Sequence, residues 1–219
     1  MNEAAPPTNN ANSTNSATIW LLDGRCVNEA VLVASLAWLN VDEQQRYARF
    51  IRPERQRQFL LGRWLLRRVL AESLALTPSQ IVLRERPHNA PLLLLDTGLP
   101  LPHFSLSHSG PWIACALSMQ SALGLDIELL DGQRDLAGLA EQIFDSSELA
   151  SFTALPEAEK RLSFYQTWSS KEAHYKLRCN AAAPAAQQFQ LSHTSLSIVL
   201  CSAMPLAAVP QISVPQWAA

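Results

Sequence analysis

Glycine is scarce, with seven in 219 residues, and none falls in a G-x-x-x-x-G-K-[ST] or G-x-G-x-x-G pattern. That argues against a P-loop or a dinucleotide fold, which need glycines where backbone N–H groups close on phosphate. No serine sits in a G-x-S-x-G elbow, the turn that exposes a hydrolase nucleophile. The four cysteines, Cys26, Cys115, Cys179 and Cys201, form no C-x-x-C pair, and three lie in apolar surroundings. They read as reduced core residues rather than a zinc site or a disulfide framework. No stretch approaches the ~18 uninterrupted apolar residues of a membrane span. The N-terminus shows no basic region followed by an apolar run, so the expectation is a cytoplasmic protein with no membrane partner. Lysine occurs three times only, and two of the three, Lys171 and Lys176, share one short stretch.

What is present is apolar: 48% of residues are hydrophobic and 16% charged, against roughly 25% charged in an average soluble domain. A chain of this length buries a substantial core. The net charge of −2 hides an asymmetry. Arg46 to Arg68 holds eight arginines and one acid, a local +7, whereas Asp126 to Glu172 holds ten acids and four bases, a local −6. One basic and one acidic segment in a single chain suit a site that handles phosphate and metal together; two solvated helix faces are the alternative.

Residues 1–17, rich in Asn, Ala, Ser, Thr and Pro, predict a disordered tail. Thr18 to Asp23 reads as a strand. Helical spacing runs from Asp42 to about Ile51 and again from Pro53 to about Leu74, the proline suiting a first turn. Short strands follow between Ile81 and Glu128. Helix returns at about 136–152 and 163–178, then strands near 189–193, 195–203 and 211–214. This is an α+β pattern. The expected domains are 18–122 and 123–219.

Three stretches could carry chemistry. In Gly124-Leu125-Asp126-Ile127-Glu128, a strand points residues i and i+2 the same way, so Asp126 and Glu128 stand side by side while Leu125 and Ile127 enter the core. Paired carboxylates repel unless a cation or proton intervenes, and hard oxygens suit Mg²⁺ completed by water and phosphate; two solvated acids are the bland alternative. In Trp168-Ser169-Ser170-Lys171-Glu172-Ala173-His174-Tyr175-Lys176, Glu172 and Lys176 share a helix face, otherwise an ordinary pair worth ~0.2–0.5 kcal/mol. In Phe104-Ser105-Leu106-Ser107-His108-Ser109, a strand ends in hydroxyls, an imidazole and N–H groups that could meet a phosphate.

In order and spacing these stretches resemble the 4′-phosphopantetheinyl transferases of the surfactin-synthetase type. The family's patterns are F-[NS]-x-S-H-[ST], G-[IV]-D-x-E and W-[ST]-x-K-E-[AS]-x-x-K; here they stand as FSLSHS, GLDIE and WSSKEAHYK. Upstream, RYARF and RQRQFLLGRWLLRRVL extend the likeness, which covers about residues 38–178. The resemblance implies two similar subdomains with pseudo-two-fold symmetry, each a small antiparallel sheet with a packed helix, and coenzyme A between them. It implies Mg²⁺ on Asp126, Glu128 and Glu172. Glu172 is the implied base, acting directly or through a water, on a carrier-protein serine, and 3′,5′-ADP is the leaving group. By the same resemblance Lys171 and Lys176 would offset phosphate charge, Ser107 and His108 would contact a coenzyme A phosphate, and Arg46 would meet the 3′-phosphate, with Arg57 and Arg63 looser candidates.

The chain departs from the pattern where the family has Gly-Lys-Pro. Here Asn89-Ala90-Pro91 stands instead, and Arg86 is the expected substitute for the missing lysine; beside the family pattern the second expected domain, 123–219, is shortened after Lys176. The expected partners are coenzyme A and an apo acyl or peptidyl carrier protein, with no nucleic acid, the protein itself being a monomer. Two other readings stay open: a non-catalytic homologue that binds coenzyme A or a carrier, and a metal-dependent nuclease. The pI of about 6.2 weighs against the second.

Overall fold

The computed structural model describes residues 15–86, 89–95, 98 and 100–216. Alternating apolar residues form strand β1 (Thr18–Asp23), with Ile19 and Leu21 on one face and Trp20 and Leu22 on the other. Short α1 (Glu29–Ala34) follows, then α2 (Val41–Ala48), opened by a reciprocal Asn40–Glu43 cap, and the long α3 (Pro53–Leu74). Pro53 begins α3, as its missing N–H permits. A small hairpin of β2 (Val82–Arg84) and β3 (Leu92–Leu94) precedes β4 (His103–Ser109), β5 (Trp112–Ser118) and β6 (Leu123–Leu129). Then come α4 (Leu136–Ile143), α5 (Ser146–Thr153), the long α6 (Glu157–Ala181), β7 (Gln187–Leu191), β8 (Leu196–Ser202) and β9 (Gln211–Ser213).

The same connectivity occurs twice. The first sheet has the order β4-β5-β1-β9 and the second β6-β8-β7. In each half an opening strand (β1 or β6) leads to a long helix (α3 or α6) and then to two strands. The opening strand pairs antiparallel with the last of these, which pairs antiparallel with the one before it. This is the expected α+β fold of two similar halves. Strand β9 departs from it: it returns to the first sheet and pairs parallel to β1, Thr18 opposite Gln211.

The packing is layered. Trp64, Leu65 and Val69 of α3 pack with Ile113, Cys115 and Leu117 of β5. The opposite face of that sheet (Ile19, Leu21, Ala114, Ala116) meets Leu123, Leu125, Ile127, Ile198 and Leu200 of the second. Ala173 and Leu177 of α6 cover the far side through Val199 and Cys201. Each large aliphatic chain so buried contributes about 1.5–3 kcal/mol.

Several expectations need adjustment. The single helix over 136–152 is two, because Asp145 accepts from the N–H groups of Ser147 and Glu148 and starts a new one. Helix α6 begins at Glu157 rather than near residue 163. The expected tail falls outside the described residues as far as residue 14. Its end is anchored: Asn15 Nδ2 donates to the Pro205 carbonyl at 2.7 Å, and Ala17 is buried. Of the four cysteines, all free, only Cys115 and Cys201 are core residues; Cys179 is half-buried and Cys26 exposed. Among the described residues no helix is long and apolar enough to cross a membrane.

Candidate active site

Strand β6 carries Asp126 and Glu128 on one face, with Leu125 and Ile127 fully buried on the other. Gly124 lets α6 approach that face closely: a Cβ there would overlap the Ala173 carbonyl and lie 2.6 Å from the Leu177 nitrogen. Asp126 is therefore not a solvated surface acid; it is 3% exposed. Its Oδ1 receives the Lys176 ammonium at 2.7 Å and the Ser107 hydroxyl at 2.9 Å. Its Oδ2, also buried, has no hydrogen-bond partner among the described residues. Burial pushes the Glu128 carboxyl above its ordinary range; the Ser109 hydrogen bond opposes this and the neighbouring Asp126 charge adds to it.

A cavity of about 390 Å³ opens in front of α6, within the ~300–1,000 Å³ common for small-molecule sites. Six of the expected residues line it: Arg46, Arg63, Ser107, His108, Glu172 and Lys176. Its arginine wall is held from behind. Glu43, fully buried, takes two hydrogen bonds from Arg67 and lies 3.1 Å from Arg63 Nε. Glu85 bridges Arg63 and Arg46; burial alone would raise its carboxyl, but the two guanidiniums outweigh burial and hold it below the usual range. Both guanidiniums also lie over the Phe59 ring, Arg63 at 4.8 Å and Arg46 at 5.6 Å. Three arginines against two glutamates leave this cluster one positive charge in surplus, and of the three Arg46 and Arg63 line the cavity. His108 sits below its ordinary imidazole range, first because surrounding protein displaces water from the ring, then because Arg55 and Lys176 repel a second positive charge.

Asp126 and Glu128 are outside this lining, and three residues expected to bind coenzyme A lie elsewhere. Arg57 pairs with Glu29 and donates to the Gly24 carbonyl. Arg86 donates to the Ala90 carbonyl at 2.8 Å and borders a separate pocket of about 190 Å³. Lys171 binds Glu148 of α5 at 2.5 Å. Helix geometry explains two of these. At about 100° per residue, Arg57 is turned about 200° from Arg55, and Arg55 is the one that lines the cavity with Phe59, Gly62 and Arg63. On α6, Glu172, Lys176 and Cys179 share a narrow arc, whereas Lys171 is turned about 100° away. Arg55 and Tyr175, both lining the cavity, were missed by motif matching. The i, i+4, i+7, i+8 stripe from Arg55 to Arg63 was the signal for the first.

Asp126, Glu128 and Glu172 were expected to converge on a metal. Among the described residues, no three Asp, Glu, His or Cys side chains are gathered closely enough to hold one. The positive charge beside Asp126 is supplied by Lys176, and Glu172 stands on the cavity wall. The strand pair nevertheless fits a hard divalent ion: an unpartnered buried Oδ2 on Asp126 and a Glu128 crowded by a like charge both gain from one.

Known proteins bear on this geometry. The family model of the 4′-phosphopantetheinyl transferase superfamily matches residues 122–207, and that of the 4′-phosphopantetheinyl transferase N-terminal region matches residues 27–120. The 4′-phosphopantetheinyl transferase AcpT of Salmonella typhimurium is 33% identical over 161 residues, 68% of this chain and 80% of the relative. The chain belongs to the 4′-phosphopantetheinyl transferase superfamily. A second relative in that superfamily, HetI of Nostoc sp., is 34% identical over 68% of this chain and 62% of its own length. Sfp of Bacillus subtilis is 31% identical over 63% of this chain and 64% of its own. The chain thus spans less than two thirds of these last two transferases. The two matched regions abut at residues 120–122, in the link between β5 and β6.

Proposed function

We propose that this chain transfers the 4′-phosphopantetheine group of coenzyme A to a serine hydroxyl of an apo acyl or peptidyl carrier protein, releasing 3′,5′-ADP with the help of Mg²⁺. One observation carries the reading. Glu172 and Lys176 of α6 line a single cavity with His108 and Ser107 of β4 and with Arg46, Arg55 and Arg63 from the arginine-rich segment. That cavity joins a proton acceptor to a surplus of cations suited to a nucleotide carrying a pyrophosphate and a third phosphate.

Asp126 and Glu128 are the residues that would hold Mg²⁺, which would supply charge neutralisation on the pyrophosphate when bound. The arginines and His108 bind the anionic nucleotide and fix its orientation. Glu172 accepts the serine proton, directly or through a water, as the serine oxygen bonds to the pantetheine-side phosphorus. The bond from that phosphorus to the bridging oxygen breaks, and its electron pair leaves on 3′,5′-ADP. Lys176 balances charge on the phosphates in flight. Arg57, Arg86 and Lys171, outside the cavity, are left without a role in these steps.

The test is a panel of apo carrier proteins incubated with coenzyme A, MgCl₂ and this protein, read by intact mass and by chromatography of 3′,5′-ADP. One phosphopantetheine added per carrier is expected, and Glu172→Gln is expected to slow it at least about 100-fold. No mass gain on any carrier overturns the proposal. Coenzyme A binding with no 3′,5′-ADP release points to the non-catalytic alternative.

A further inference from the structure

Strands β4 and β6 run side by side yet belong to different sheets. The β6 N–H groups that point away from β8 must find acceptors elsewhere. Three serines at two-residue spacing on β4 provide them. Ser105 Oγ accepts from Leu125 N–H at 2.9 Å, Ser107 Oγ from Ile127 N–H at 3.2 Å, and Ser109 Oγ from Leu129 N–H at 3.0 Å. Two of these hydroxyls then donate to an acid: Ser107 to Asp126 Oδ1 at 2.9 Å, and Ser109 to Glu128 Oε2 at 2.7 Å. No hydrogen bond from Ser105 reaches a carboxylate among the described residues.

We propose that Ser107 and Ser109 are positioning residues for the acid pair. The N–H of the residue after each acid occupies a lone pair of the facing hydroxyl, so the hydroxyl proton is turned onto the acid itself. Each carboxylate is thereby held by the strand on the other side of the seam between the two sheets, and docking of the two halves aims the acids. The inference rests on the reading of Asp126 and Glu128 as holders of a divalent cation. Ser109 is the cleaner probe, because Ser107 also receives the Lys176 ammonium. Ser105 is the internal control: it closes the seam in the same way but aims no acid.

The experiment is isothermal titration of the full chain with MnCl₂ alone, in wild type, Ser105→Ala, Ser109→Ala and Ser109→Thr, with melting temperatures alongside. Both alanine variants lose one acceptor of a main-chain N–H and melt lower. Ser109→Ala is expected to weaken Mn²⁺ binding about tenfold or more, Ser109→Thr to restore it, and Ser105→Ala to bind like wild type. If Ser109→Ala does not fold, Ser109→Cys replaces it with the same expected loss, since a thiol donates weakly. Equal weakening by Ser105→Ala and Ser109→Ala, or none by either, overturns the positioning role while leaving the cation reading intact. A wild-type protein that binds no Mn²⁺ overturns both.

Discussion

Lys176 and Asp126 compensate each other out of bulk water, with 26% and 5% of their side chains exposed. Removing one partner of a buried pair leaves an uncompensated charge, a loss of 3–5 kcal/mol when both are fully enclosed. Solvent reaches Lys176, so Lys176→Met is expected to cost about 2 kcal/mol in urea denaturation. Adding Asp126→Asn should then cost less than the two singles together, by about 1 kcal/mol; strict additivity would contradict the pairing. His108 offers a pH-dependent check. Its imidazole is held below the ordinary 6.5 by loss of water and by Arg55 and Lys176. The unfolded chain therefore binds the proton more readily, and the native state loses stability as pH falls below 6.5 through the lowered His108 range. Adding 3′,5′-ADP, an anion, should move the ring's NMR titration upward. A ring that titrates at or above 6.5 without ligand contradicts the geometry.

Helix α6 brings Lys176 to Asp126 of β6 because Gly124 has no side chain. A methyl there would meet main-chain atoms of α6, which cannot swing aside as a flexible side chain would. Gly124→Ala is therefore expected to cost about 3 kcal/mol and to lower affinity for 3′,5′-ADP as the helix shifts; a loss under about 1 kcal/mol would mean that α6 is free to move. The same helix shows why Lys171 stands off the cavity that Lys176 lines. Lys171 and Lys176 stand in one motif, but their azimuths send Lys176 to the acid pair and Lys171 to Glu148. Two segments read as single helices or tails also turned on one side chain each: Asp145 caps a new helix, and Asn15 fastens the chain to the 205–207 turn.

The two halves share a middle core, and the chain end closes it. Ile212 of β9 packs against that core while β9 covers the edge of β1. Truncation after Val209 uncovers the outer edge of β1, an unpaired template for another strand. The shortened protein is expected to melt several degrees lower and to aggregate in a concentration-dependent way by size-exclusion chromatography. A truncated chain with unchanged melting and elution would show that β9 is ornamental.

Much of the molecule was legible in its residues. Proline at the start of α3, two-residue alternation in β1 and β6, and 3.6-residue spacing on α3 and α6 are local rules; they marked these elements, α6 without its first turns, buried Leu125 and Ile127, and set Glu172 and Lys176 on one helix face. The partners were not legible. Asp126 and Lys176 lie 50 positions apart, Arg46 and Glu85 lie 39 apart, and β9 meets β1 across nearly the whole chain. Local periodicity says which way a side chain points along its own element. Which charge waits there depends on how separate sheets and helices dock, and that is settled by burying the shared apolar core.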